Sequence, residues 1–237
     1  MDIAGFQKNS FVDYPGKIAA VVFCGGCNYN CWYCHNRHIL HGFDCIDPAG
    51  VYDFLEKRRG QVDAVVFSGG EATLQSGLET EMSRVKGMGY LVKLDTNGAR
   101  PDVLKKLLEK KLPDYVAMDI KAPFARYAEV TGVDADIAAV KKSIALLMSG
   151  ETAYEFRTTC VPQFAPSDIE EIAKNIAGAR LYALQQYRHS TNDKLQMTND
   201  KYGKVTPLKL PPHGREFFDA AKALAGKYVG NVIVRGV

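Results

Sequence analysis

Cysteine dominates the one stretch whose residue types could do chemistry. Cys24-Gly25-Gly26-Cys27-Asn28-Tyr29-Asn30-Cys31-Trp32-Tyr33-Cys34 holds four of the chain's six cysteines. It follows the apolar run Ile18-Ala19-Ala20-Val21-Val22-Phe23, which is short enough for a buried strand. Cys27, Cys31 and Cys34 stand in C-x3-C-x2-C spacing, so one tight loop could wrap three corners of an iron–sulfur cube and leave the fourth corner open. Electron-transfer clusters usually carry four thiolates, whereas an iron with a vacant position can bind a substrate. Two other readings compete. A zinc knuckle would pair Cys24/Cys27 with Cys31/Cys34, but zinc ligand pairs normally stand about a dozen or more residues apart. A ferredoxin-like carrier would recruit Cys24 as a fourth ligand, yet a free cysteine ending a strand is among the most buried residue types. His35, His38 and His41 read as polar loop contacts without a ligand role.

The remaining polar candidates sit where further strands should end. Val62-Asp63-Ala64-Val65-Val66-Phe67 reads as a buried strand with Ser68-Gly69-Gly70-Glu71 at its tip. Paired glycines there let a ligand approach the backbone, and Glu71 could hold an ammonium group; a plain turn has the same spelling. Tyr90 to Leu94 leads into Asp95-Thr96-Asn97-Gly98, whose short polar side chains can bond a ribose or simply make a turn. Tyr115 to Lys121 carries Asp119 and Lys121, two apart and so on one side of an extended chain, as an ion pair or as part of a cofactor pocket. Tyr154 to Val161 places Arg157 among polar neighbours; its guanidinium suits a carboxylate, in a site or in a solvent-facing salt bridge. Leu181 to Tyr187 makes a sixth strand.

Helices are expected between these strands: from Asp47-Pro48 to Gly60, about Gly77 to Lys86, Pro101 to Lys111, Ile137 to Met148, from the capping-box pattern Ser167-Asp168-Ile169-Glu170 to Gly178, and through Phe217 to Leu224. Residues 1–17 read as a lid strand or hairpin ending in Pro15-Gly16, Tyr127 to Asp136 as a loop, and residues 189–212 as a mobile loop by composition. Residues 213–237 form a last helix and an apolar terminal strand. Alternating strands and helices put functional residues at the C-terminal ends of parallel strands. The expected fold class is therefore α/β, an open partial (β/α)6 TIM-type barrel in a single domain.

The C-x3-C-x2-C loop, followed at a strand end by Gly69-Gly70-Glu71, resembles the radical S-adenosylmethionine superfamily, and the resemblance covers nearly the full length. It implies one [4Fe-4S] cluster on Cys27, Cys31 and Cys34, whose unique iron chelates S-adenosylmethionine. An electron from the reduced cluster then releases methionine and a 5'-deoxyadenosyl radical. It also implies a cofactor-binding set of Gly69, Gly70 and Glu71 near the methionine amino group, Asp95 and Asn97 near the nucleoside, and Asp119, Lys121 and Arg157 around the bound cofactor. His35-Asn36, Gly5-Phe6-Gln7-Lys8 and Asp13-Tyr14-Pro15-Gly16-Lys17 resemble the glycyl-radical-activating branch, in particular the activating proteins of anaerobic ribonucleoside-triphosphate reductase. The implied partners are a glycyl-radical enzyme, anaerobic ribonucleotide reductase, and a low-potential electron donor such as flavodoxin or ferredoxin. Activation of a pyruvate formate-lyase type enzyme, and radical chemistry on a small molecule, remain alternatives.

The chain as a whole agrees with an enzyme of this size. Its 237 residues can bury a sizeable core. A formal charge of +3 is too slight to imply nucleic acid without a clustered patch. No apolar run approaches the ~18 residues of a membrane span and no basic-then-apolar leader precedes the first strand, so the expected location is the cytoplasm. Six cysteines without a leader do not read as a disulfide framework.

Overall fold

The computed structural model describes residues 1–188 and 211–237. The predicted mobile stretch, and with it the polar Gln196 to Lys204 segment, lies outside the described residues except for Pro211 and Pro212, which are described. The fold is an open α/β sheet in which, within each of two compact units, the strands neighbour one another in chain order. The described residues group into two compact units: residues 1–28, 36–118 and 138–154, and residues 29–35 and 119–137 with those described from 155 onward.

In the first unit, β1 (Ile3–Ser10) runs antiparallel to β2 (Ala19–Cys24). Then come β3 (Ala64–Gly69), β4 (Leu91–Thr96) and β5 (Tyr115–Asp119), each parallel to the strand before it. Ala19 to Val22 and Ala64 to Phe67 are all buried, because a parallel strand packed on both faces must be apolar on both. One face contributes Ala19, Val21, Ala64 and Val66 to a cluster with Tyr14. Between the strands lie α1 (Pro48–Lys57), α2 (Leu78–Gly87) and α3 (Pro101–Glu109). Asp47 caps α1 through Ala49 N–H at 2.9 Å with Pro48 at the first position, where proline's missing donor costs nothing.

The second unit carries α4 (Tyr127–Thr131), β6 (Ala153–Cys160), α6 (Pro166–Asn175), β7 (Tyr182–Gln186), α7 (Arg215–Ala225) and β8 (Val232–Arg235); β6, β7 and β8 are parallel. α5 (Ile137–Ser149) lies almost wholly in the first unit. Two local expectations are corrected. Tyr127 to Thr131 is a short helix, not loop; Thr131 Oγ1 bonds Tyr127 O at 2.8 Å and Gly132 ends the turn at φ +68°. A β-branched Val130-Thr131 pair hides such a turn from propensity. The cap of α6 is also displaced: Pro166 takes the first helical position and the Asp168 carboxylate accepts from Ala165 N–H at 2.8 Å.

Candidate functional site

In the first unit, three strand tips meet. β2 ends at Cys24 beside Gly69, its register partner on β3. Gly70 N–H donates to Cys24 O at 2.8 Å and Glu71 N–H to Gly26 O at 2.9 Å. The two backbones run so close that a Cβ on Gly69 would lie 2.6 Å from Cys24 N and O, and one on Gly70 only 1.9 Å from Gly26 O. Gly69 also holds φ +109°, a region L side chains avoid. The close approach these glycines permit is thus used by the chain's own Cys24–Gly26 backbone. Gly70→Ala is expected to cost about 1–3 kcal/mol by forced overpacking, read by chemical denaturation. Gly50→Ala, in α1 with nothing within 4 Å of its Cβ, is the control and should stabilise by about 0.5–1 kcal/mol.

Glu71 is 1% exposed. Its Oε1 accepts from Thr73 N–H and Oγ1 and from Thr96 Oγ1, and its Oε2 accepts from Asn97 N–H at 2.6 Å. The carboxylate therefore ties the Gly-Gly-Glu tip to the Asp-Thr-Asn-Gly tip of β4, the hydrogen bonds offsetting part of a burial cost that still raises its pKa. Asp95 is held by Lys93 Nζ at 2.6 Å and by Ser68 Oγ at 3.0 Å. Lys93, 2% exposed, was not among the predicted site residues; a lysine inside an apolar strand two before an aspartate was the signal. Asn97 Nδ2 lies 2.8 Å from Asn28 Oδ1 and 3.9 Å from Cys27 Sγ. Asn36 Nδ2 donates to Gly69 O at 3.0 Å, which gives the residue after His35 a mechanical use. Thr73 and Asn28 were missed too, because short polar residues in connections carry no periodic signature.

Gly25 N–H is fixed by Asp2 O and Gly26 N–H by Ile39 O, so the cysteine loop leaves β2 along a pinned path. Cys24 is fully buried, and burial, with Glu71 adding, pushes its thiol up to about 12. It packs as an apolar side chain near Met1 Sδ.

In the second unit, Cys34 N–H donates to Cys31 O at 3.1 Å and Asn30 N–H to Thr131 O at 2.8 Å. Burial pushes the Cys31 thiol up to about 11, with Lys121 opposing it; such a thiol ionises when a cation replaces its proton. Asp119, Lys121 and Arg157 come together: Lys121 Nζ stands 2.9 Å from Asp119 Oδ2, and Arg157 Nε 2.8 Å from Asp119 Oδ1. Burial would raise the Asp119 carboxyl, but Arg157 and Lys121 hold it well below the usual range. Burial would lower Lys121; Asp119 first, then Tyr33 and Cys31, keep it well above its usual value. Arg157 therefore faces a protein carboxylate in a mostly buried pair rather than a solvent-facing bridge. Lys121 N–H donates to Tyr127 Oη at 3.1 Å, and Ile120 is locked to β6 through Arg157 O and Thr158 Oγ1.

Among the described residues no three His, Cys, Asp or Glu side chains converge as they would on a single ion. A cube asks for something else, since each thiolate takes a different iron. The donor chemistry suits it: Cys27, Cys31 and Cys34 are three soft sulfurs close together in the chain, and Cys27 has an amide N–H within reach. Cys45 is exposed, and Cys160 is buried with its thiol raised to about 12 by that burial.

Residues 21–176 match the profile of the Radical SAM superfamily. A Methanocaldococcus jannaschii protein provisionally named as a glycyl-radical enzyme activating enzyme is 37% identical, the match covering 99% of this chain and 96% of that one. A second protein of that organism, with the same provisional name, is 27% identical over 94% of this chain and 82% of its own. Among solved structures, Streptococcus suis SuiB bound to S-adenosylmethionine superposes with a TM-score of 0.58 at 12% identity. That match covers 89% of this chain but 45% of SuiB, and it is a likeness of fold.

Proposed function

Because the chain belongs to the radical SAM superfamily, we propose that it is an activating enzyme for a glycyl-radical enzyme. The observation that carries this reading is the end-to-end match to a relative named for that activity. The cofactors are the family's, a [4Fe-4S] cluster and S-adenosylmethionine. Cys27, Cys31 and Cys34 would hold the cluster, which when bound supplies one electron to the sulfonium of S-adenosylmethionine.

The chain's own residues do the positioning. Gly69, Gly70 and Glu71 form a tip fixed against the cysteine loop, so that backbone groups near Gly70 would meet the methionine amino group while the Glu71 carboxylate holds the tip in place. Asp95, oriented by Lys93 and Ser68, and Asn97 would serve the nucleoside. Lys121 and Arg157, balanced by Asp119, supply fixed positive charge for a carboxylate. A low-potential donor such as flavodoxin or ferredoxin would deliver the electron, and the activity would be cytoplasmic.

For the target we propose anaerobic ribonucleotide reductase, on the strength of Gly5-Phe6-Gln7-Lys8, Asp13-Tyr14-Pro15-Gly16-Lys17 and His35-Asn36. The test mixes the anaerobically reconstituted protein with S-adenosylmethionine, a reductant and that reductase. The expected result is a glycine-centred electron paramagnetic resonance signal on the reductase. Formation of 5'-deoxyadenosine with no such signal on it, but with one on a pyruvate formate-lyase type enzyme, would move the target. No glycine-centred signal on either would favour a small-molecule substrate.

A further inference from the structure

Asn97 has more to hold it than a turn requires. It is 4% exposed, and its backbone N–H is fixed by Glu71 Oε2. Its side-chain Oδ1 accepts from Ala99 N–H at 3.0 Å, which settles the amide's orientation: the oxygen must face Ala99, so the NH2 must face away. One N–H of that NH2 is taken by Asn28 Oδ1 at 2.8 Å. The NH2 also stands 3.9 Å from Cys27 Sγ, within reach of a sulfur acceptor, and this contact accounts for the second N–H.

From this geometry we infer that Asn97 is a positioning residue for the cluster itself: its amide donates to the Cys27 sulfur and thereby raises the cluster's reduction potential. The inference rests on Cys27 being a cluster ligand, as proposed above. A hydrogen bond to a ligating thiolate withdraws electron density and stabilises the extra electron of the reduced state. Glu71 acts one step further out, since its carboxylate fixes the backbone from which Asn97 reaches. The Gly-Gly-Glu and Asp-Thr-Asn-Gly tips are thus mechanically coupled to one sulfur.

The test is a redox titration of the reconstituted full chain, following the reduced cluster by electron paramagnetic resonance. Asn97→Ala is expected to shift the midpoint to more negative potential with iron and sulfide content unchanged. Asn97→Asp, which replaces the donor by an anion, should shift it further. Equal potentials in all three proteins would overturn the inference. Electron–nuclear double resonance on wild-type protein carrying 15N-labelled asparagine does not depend on how a variant folds: a coupling from a side-chain amide that disappears on exchanging Asn97 is expected, and its absence in wild type also overturns the inference. Cluster uptake by Cys27→Ala equal to wild type would instead sink the ligand assignment, and this inference with it.

Discussion

Alanine at Cys27, Cys31 or Cys34 is expected to abolish both cluster uptake and cleavage of S-adenosylmethionine, while Cys24→Ala and Cys45→Ala keep both. Position in the chain separates the two groups. Cys27, Cys31 and Cys34 lie on the loop beyond the last hydrogen bonds that tie Gly25 and Gly26 to Asp2 and Ile39, so their sulfurs are carried by a segment whose entry is fixed. Cys24 lies before that point, inside β2, fully buried and with a thiol that stays protonated. Cys45 is exposed. Iron and sulfide analysis with a 5'-deoxyadenosine assay reads the set. Loss of cluster in Cys24→Ala equal to that in Cys31→Ala would favour a cube closed by four thiolates.

Asp119→Ala should give the largest loss of stability, about 3 kcal/mol at neutral pH. Removing one partner of a buried pair leaves the other uncompensated, at about 3–5 kcal/mol. The low end applies because a quarter of the Asp119 side chain meets solvent. Here two cations, Lys121 and Arg157, would be left facing each other. The pH dependence follows from the direction of the shift. A carboxyl held below its unfolded value contributes stability that is fully present above the unfolded pKa of about 3.9 and is lost as pH falls through the folded one. Wild type and Asp119→Ala should therefore differ by a constant amount from about pH 5 to pH 9 and converge only in strong acid. Chemical denaturation across that range reads it; a gap that closes near pH 6 would contradict the assignment.

Much of this was legible because it repeats a rule. Strands β2 to β7 appear in the sequence as short apolar runs, and their C-terminal ends carry the cysteines, Gly69-Gly70-Glu71, Asp95, Asn97, Asp119 and Lys121, as parallel strands require. The glycines could be read as allowing a close approach, but not that the approaching group is the Cys24–Gly26 backbone, since that pairing spans more than forty positions. Glu71 could be read as a polar group at a tip, but of its four hydrogen bonds only the two from Thr73 are local; the other two come from Thr96 and Asn97 at the tip of β4. Arg157 and Asp119 are separated by α4, α5 and their connections, so only folding reveals them as a pair. Lys93 stood unremarked within the Tyr90 to Leu94 run that was read as a strand. Its burial becomes tolerable only because Asp95 is on the same side of β4, where alternation puts it.

Three cysteines, and no fourth, would hold the cluster, so that S-adenosylmethionine could meet an iron directly. Mössbauer spectroscopy of the 57Fe-reconstituted protein, with and without S-adenosylmethionine, tests this most directly. One iron site in four should change its parameters when the cofactor is added, with the other three unmoved. Four irons that ignore the cofactor, or a protein that takes up zinc and no cluster, would contradict the account.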